Sequence, residues 1–308
     1  MITKEQDTEG RGKYFLAAFL GPLIWGFMAV PIRLLKNWSA EDILHYRIIL
    51  AVSLLWLFNF IFRKKDLKKD YRNFQLLPKN KKIKIVYLTL ASAILLFANW
   101  YTYIYCINSI SVQAGAFAYI LCPLITTAGG YFILKENLNI TQKLSLIIAT
   151  TGVFMLATGS LTEVLWSLTI GSLYAFYLVL QRIIQGFDKL NMLAIQLAMC
   201  TLFIIPQMIM DQSPIPQEGT FWSIILIIAL LFTIIPLFSS MYALKKISSS
   251  TLGIMLYINP IIAFTLAVTY FQEQVDPYKY WAYTLIFTAI IIFNFDKLKI
   301  LFKRKNYL

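Results

Sequence analysis

Ten long apolar runs, separated by short polar breaks, dominate the sequence. They lie at roughly 14–35, 42–62, 84–107, 112–134, 141–160, 164–184, 190–209, 221–243, 249–271 and 277–296. A helix needs about 20 mostly apolar residues to cross the hydrocarbon of a bilayer, whereas a spanning strand needs about ten and alternates in polarity. The expected fold class is therefore an all-α membrane protein with ten transmembrane helices. Composition points the same way: 59% of the 308 residues are hydrophobic and only 14% are charged. Soluble domains are about 45–50% apolar and about 25% charged, so this chain has too little polar surface to cover a body in water. The opening MITKEQDTEGRGKY is polar and lacks the short apolar core and small-residue cleavage site of a signal peptide.

Several chemistries are disfavoured at once. Cys106, Cys122 and Cys200 each lie inside an apolar run without metal-ligand spacing, and His45 is the single histidine. Neither a metal site nor a cofactor is expected. The net charge of +13 suggests an acidic partner. Basic residues, however, accumulate in the cytoplasmic loops of membrane proteins whatever their function, so no nucleic-acid partner is inferred. With the N-terminus inside, 24 of the 28 Lys and Arg residues fall on the cytoplasmic side, ten of them in 63–84. Arg33, Lys36 and Lys279 fall outside, and Arg47 lies within a span. Both termini are expected to be cytoplasmic, and the basic 63–84 loop could meet anionic lipid.

The runs are not independent. Residues 119–136 read YILCPLITTAGGYFILKE, and 256–273 read LYINPIIAFTLAVTYFQE. Pro123 and Glu136 of the first stretch recur at a spacing of 137 as Pro260 and Glu273 of the second. Tyr105, Ile110 and Ser111 recur as Tyr242, Ile247 and Ser248 at that spacing. At a spacing of 149, Trp25-Gly26-Phe27 is echoed by Tyr174-Ala175-Phe176, Arg33 by Arg182, and Arg47 by Gln196. Two five-span units are thus expected, at 14–160 and 164–296, between a cytoplasmic tail at 1–13 and a basic tail at 297–308. Five is odd, so the second unit must lie inverted relative to the first. Two similar units of opposite orientation can exchange conformations and move an opening from one face to the other.

These stretches resemble the EamA domain of the drug/metabolite transporter superfamily. DILHYRII at 42–49, ANWYTYIYCIN at 98–108, TIIPLFSSMYALKKISSSTLG at 233–253 and YINPIIAFTLAVTYFQE at 257–273 are similar to its RarD subfamily. The resemblance covers about 15–300. It implies a ten-helix bundle whose spans 1–4 and 6–9 line a central cavity. Spans 5 and 10 would then stand at the periphery, at the contact of a homodimer. His45-Tyr46-Arg47 stands where the subfamily has an adjacent His-Arg pair, and Cys122 where it has an asparagine.

Candidate site residues follow from the cost of polar groups in hydrocarbon. Arg47 either snorkels to the outer interface or faces the cavity and holds a carboxylate or phosphate. His45, nearer the interface, is a candidate proton site. Asn99 and Trp100 fall mid-span; a central amide must find a partner, either a backbone carbonyl or cavity water. Trp25, Tyr103, Tyr174, Tyr177 and Tyr257 could stack on a planar solute, and Gln196 and Asn259 complete the candidate cavity wall. Pro123 and Pro260 free the carbonyls around Tyr119 and Leu256 and are candidate hinges at matching points. Glu136 and Glu273 close their runs as gates or as caps for the next helix. Asp and Glu are absent mid-span, which favours a facilitator over an ion-coupled carrier.

The expected function is a secondary transporter or facilitator for small metabolites (amino-acid-like, aromatic or anionic) in the cytoplasmic, or inner, membrane. It would work by alternating access, with export as the expected direction. A membrane-embedded enzyme would need a convergent set of acids or histidines at membrane depth. A non-transporting sensor or partner subunit would need a docking domain, and the longest interval between runs, 63–83, is too short to make one.

Overall fold

The computed structural model describes residues 2–35, 37–109, 112–156, 161–211, 215–270, 272 and 277–305. Among them the chain is helical, with no strand. The first half holds α1 (Ile2–Gly26), α2 (Ala29–Leu34), α3 (Ala40–Phe62), α4 (Lys64–Leu76), α5 (Lys79–Ser109), α6 (Val112–Phe132) and α7 (Ile140–Leu156). The second holds α8 (Leu161–Ile183), α9 (Lys189–Asp211), α10 (Gly219–Ile227), a π-helical segment (Ile228–Ile234), α11 (Ile235–Ala243), α12 (Ser249–Met255), α13 (Ile258–Thr269) and α14 (Pro277–Lys305).

Among the described residues, six stretches are long and apolar enough to cross a membrane: Gly12–Leu34, Glu41–Phe62, Lys79–Tyr103, Val164–Ile183, Lys189–Met210 and Gly219–Ala243. Four shorter apolar stretches lie within the remaining helices, at Ala118–Phe132, Ile140–Met155, Ser249–Ala263 and Tyr280–Phe295. Each of the ten runs of the sequence thus coincides with helix, and six of them meet the length and hydropathy of a span among the described residues. Large apolar side chains such as Leu57, Phe62, Phe154, Met210 and Trp281 stand exposed on the outside of the bundle. That inversion of the soluble pattern suits a hydrocarbon solvent.

Helix boundaries repeat at the two spacings seen in the sequence. At the longer one, α3 and α9 begin at Ala40 and Lys189 and end at Phe62 and Asp211, and α2 and α8 end at Leu34 and Ile183. At the shorter one, α6 and α12 begin at Val112 and Ser249, while α6 and α13 end at Phe132 and Thr269. Lys135 and Gln272, again at the shorter spacing, are the described non-glycine residues with positive φ, at 55° and 56°. Each stands in the left-handed conformation, sterically costly for a side chain, three residues beyond its helix end. Packing is reciprocal too. α6 lies on α8 as α13 lies on α1, α1 lies on α11 as α8 lies on α5, and α7 pairs with α14. Small residues let these helices approach. A Cβ on Gly26 would stand 2.5 Å from the Ile262 Cβ, and one on Gly171 would stand 2.7 Å from the Ala118 carbonyl oxygen.

The two halves differ in regularity. The first span breaks at Phe27–Met28, before Pro31, and the ninth breaks at Leu256–Tyr257, before Pro260. The eighth carries the π-helical segment just before Pro236. Their counterparts α8, α6 and α5 run unbroken, and α6 continues through Pro123. The expectation of matching hinges therefore meets an interruption at Pro260 and a continuous helix at Pro123. Thr127, one turn after Pro123, donates its hydroxyl back to the Pro123 carbonyl at 2.9 Å.

Segment 63–84, read from the sequence as a loop, is mostly helix. Within α4, Asp66, Leu67, Asp70, Asn73 and Phe74 are partly buried, and the remaining residues are exposed. Arg63 bridges to Asp188 at 2.9 Å, and Asp70 accepts from the Asp188 backbone N–H and from Asn191 Nδ2, the latter at 2.7 Å. Asp188 caps α9, accepting from the N–H groups of Leu190 and Asn191. Burial pushes the Asp188 carboxyl up, but hydrogen bonds from Arg63, Asn191 and Leu190 outweigh it and hold the pKa below its ordinary value. The Asp188 bond likewise raises Arg63.

Candidate functional site

Arg47 is the eighth residue of α3, about 10 Å along the helix at 1.5 Å per residue. The helix starts there because Ser39 accepts from the Asp42 N–H at 3.0 Å and Glu41 and Asp42 complement its dipole. The guanidinium does not turn out to the interface. Its Cζ lies 4.7 Å from the centre of the Trp100 ring on α5, a cation–π contact. The Tyr103 and Tyr119 phenols are within electrostatic reach, and Nε is buried without a hydrogen-bond partner among the described residues. No described aspartate or glutamate pairs with Arg47. A guanidinium carries five N–H donors, and leaving a buried one unmade is costly. This arginine is therefore chemically unfinished: a carboxylate or phosphate would complete it.

Aromatic rings extend the site across the bundle. Tyr103 meets Tyr119 edge-on at 5.1 Å, Tyr119 meets Tyr174 at 6.5 Å, Trp25 meets Tyr174 at 5.6 Å, and Tyr174 stacks on Tyr177 at 5.7 Å. The chain of contacts runs from α3 and α5 through α6 to α8 and α1. It thereby draws Arg47, Trp100, Tyr103, Tyr174, Tyr177 and Trp25 into one cluster. Trp25 is held by donating its indole N–H to the Phe232 carbonyl at 2.8 Å. Asn99 takes the partner that hydrocarbon demands, donating to the Ile170 carbonyl on α8 at 2.9 Å, and its oxygen stands 3.4 Å from the Tyr119 hydroxyl. Cys122 lies within electrostatic reach of Tyr119, Tyr174 and Tyr257 at the floor of the cluster. The Tyr257 hydroxyl is buried without a partner among the described residues, and Tyr174 lies beside Ser240 without reaching hydrogen-bond geometry.

Other candidates fall elsewhere. Gln196 sits at the far end in a buried amide pair, accepting from Gln181 Nε2 at 3.1 Å with the Tyr177 hydroxyl at 3.4 Å. Asn259 is half-buried beside the helix break, its backbone N–H donating to the Leu256 carbonyl at 3.1 Å. His45 is buried two residues before Arg47, a spacing that places it on a different face of α3. Glu273 lies outside the described residues.

Glu136 does not cap the helix that follows it. Its carboxylate reaches α12 in the other half, where one oxygen accepts from the Ser249 N–H and hydroxyl and the other from the Ser250 N–H and hydroxyl, at 2.6–3.0 Å. Gly130 leaves the necessary room: a Cβ there would stand 2.5 Å from the carboxylate. Sequence reasoning also missed Tyr119, Gln181 and Pro236. Tyr119 had a readable signal, since it stands one turn before Pro123.

The sequence pattern of the EamA-like transporter family matches residues 12–158 and again 161–295. Curated relatives include Protein RarD of Salmonella typhimurium, 28% identical over 286 residues that span 91% of this chain and 94% of that protein. Protein RarD of Escherichia coli K12 is 26% identical over 288 residues, spanning 91% and 93%. The uncharacterized transporter YojE of Bacillus subtilis is 27% identical over 286 residues, spanning 90% and 92%. One solved structure superposes with a TM-score of 0.73 at 15% identity, covering 92% of this chain and 98% of that one, and shares its fold.

Proposed function

The chain belongs to the EamA-like transporter family, as a membrane transporter of the drug/metabolite type, and from that premise we propose that it is a secondary transporter or facilitator for a small anionic solute with a planar or aromatic part. The observation that carries this reading is Arg47, a half-buried guanidinium stacked on Trp100, without an acidic partner among the described residues and with Nε unbonded. The carboxylate or phosphate of the solute would take the guanidinium. Its planar part would lie among Tyr103, Tyr119, Tyr174 and Trp25.

Ten spans with both termini cytoplasmic, in two inverted units at 14–160 and 164–296, complete the proposal. The sorting of 24 of 28 basic residues to one side supports the orientation. The repeated helix boundaries and the paired left-handed residues support the two units. Alternating access then exchanges the two halves, and Glu136 on α12 fastens the cytoplasmic ends of spans four and nine. The proposal assigns the protein to the cytoplasmic membrane, with export as the direction and α7 and α14 on the side of a homodimer contact. The relatives named as transporters favour a carrier over a membrane-embedded enzyme.

The deciding experiment compares metabolites inside and outside cells that overproduce the wild type, Arg47→Ala, or neither. A solute enriched outside with the wild type alone is the expected result and would put Arg47 in its path. No difference between wild type and empty control, with the protein inserted, would overturn constitutive export.

A further inference from the structure

We propose that α4 is a binding site for anionic phospholipid headgroups, with Lys68 and Arg72 as its phosphate-holding pair. The positive-inside tendency explains how many cations a cytoplasmic segment has, but not how they are arranged around a helix. In α4 both acids are engaged: Asp70 turns inward, and Asp66, its side chain 47% exposed, stands at the edge of the face beside Arg63. Asp66 pairs with Arg63 at 3.1 Å, and Asp70 is consumed by the Asp188 N–H and Asn191. The exposed face holds Lys64, Lys65, Lys68, Lys69 and Arg72 together with Tyr71, Gln75 and Leu76. None of those five cations has an acidic partner among the described residues. Tyr71 and Leu76 are 67% and 77% exposed on the same face, an apolar presence that water does not favour and an acyl boundary does.

A hollow of about 470 Å³ lies against this face, lined by Leu67, Lys68, Tyr71, Arg72 and Gln75. Lys68 and Arg72 are one turn apart, so both can reach one phosphate. Tyr71, with the edge of the half-buried Leu67 that lines the hollow, would meet the glycerol and upper acyl carbons of a lipid whose phosphate sat on that pair. The Arg63 and Asp70 contacts with the α9 cap fix the helix lengthwise on the bundle and hold the cationic face outward. A free phosphate would gain the cations but leave Tyr71 and Leu76 uncovered, so the occupant is a lipid of the cytoplasmic leaflet.

The test is native mass spectrometry of the full chain in detergent, titrated with phosphatidylglycerol or phosphatidylcholine. It depends neither on membrane orientation nor on transport, so its failure is separable from that of the carrier reading. Wild type is expected to bind phosphatidylglycerol preferentially, and K68Q/R72Q to lose that preference. Each cation removed should weaken binding roughly fivefold. K81Q/K82Q, which removes two cations outside α4, should leave it intact. Equal loss in both variants would overturn the site in favour of diffuse charge. Competition by millimolar inorganic phosphate would overturn the lipid in favour of a soluble anion, and equal binding of both lipids would overturn the proposal outright.

Discussion

The Trp25 indole N–H donates to the Phe232 carbonyl at 2.8 Å, inside the π-helical segment that precedes Pro236. One side chain in the first half thus ties into the irregular segment of the second. Trp25→Phe keeps most of the ring and removes the donor. It should lower stability by about 1–2 kcal/mol, the cost of a carbonyl left unpaired in an apolar setting. Unfolding of the detergent-solubilised variant against wild type measures this, and an unchanged midpoint would mean the bond is not needed.

Arg47→Lys separates charge from shape. Lysine keeps the cation but loses the planar fork and its stack on Trp100. For an anionic solute identified by metabolite comparison, uptake into proteoliposomes should show a half-saturation constant raised about tenfold, corresponding to about 1.4 kcal/mol. A lysine variant equal to wild type would show that charge alone suffices.

Glu136→Gln leaves one oxygen to do the work of two. Two of the four donors at the start of α12 lose their acceptor, and the rest lose a charged one. The contact should weaken by about 2–3 kcal/mol, within the range for hydrogen bonds to a charged group. Hydrogen exchange of the 249–255 amides should accelerate accordingly, and unchanged protection would refute Glu136 as the fastening.

The Asp188 carboxylate predicts how α4 responds to acid. Its pKa is lower in the folded protein than in the unfolded chain, so its stabilisation is complete well above the ordinary carboxylate pKa of about 3.9 and is lost as pH falls through the lower native value. Arg63, raised by the same bond, stays charged throughout that window. A spin label on α4 should therefore gain mobility only below about pH 4. Asp188→Asn should be mobile at pH 7 and show no such transition.

Gly26→Ala should force α1 away from α13, because its Cβ would stand 2.5 Å from that of Ile262. Overpacking of this kind costs about 1–3 kcal/mol, and Ile262→Ala in the same chain should recover most of it. Thermal unfolding of the single and double variants distinguishes a steric contact from a conformational need for glycine.

Much of this architecture was legible in the sequence because hydrocarbon imposes simple rules. Run length marked the helices, and the spacing that pairs Pro123 with Pro260 recurs in the boundaries of α6, α12 and α13. Asn99 took the backbone carbonyl, one of the two partners open to an amide in that medium. What escaped reading was partnership across the bundle. Nothing local says that Glu136 lies under Ser249, or that Gln196 spends its oxygen on Gln181. Pro236 was passed over because a π-helical segment leaves no mark on run length or hydropathy. The helical character of 64–76 was hidden by its charge, since a span criterion ignores amphipathic segments.

The breaks at Phe27 and Leu256 and the π-helical turn all belong to spans one, eight and nine, while three, four and six are regular. Under the proposed exchange of halves, these irregularities sort the spans into two kinds of part: the first, eighth and ninth would be the joints that change shape, and the third, fourth and sixth the levers that move as rigid rods.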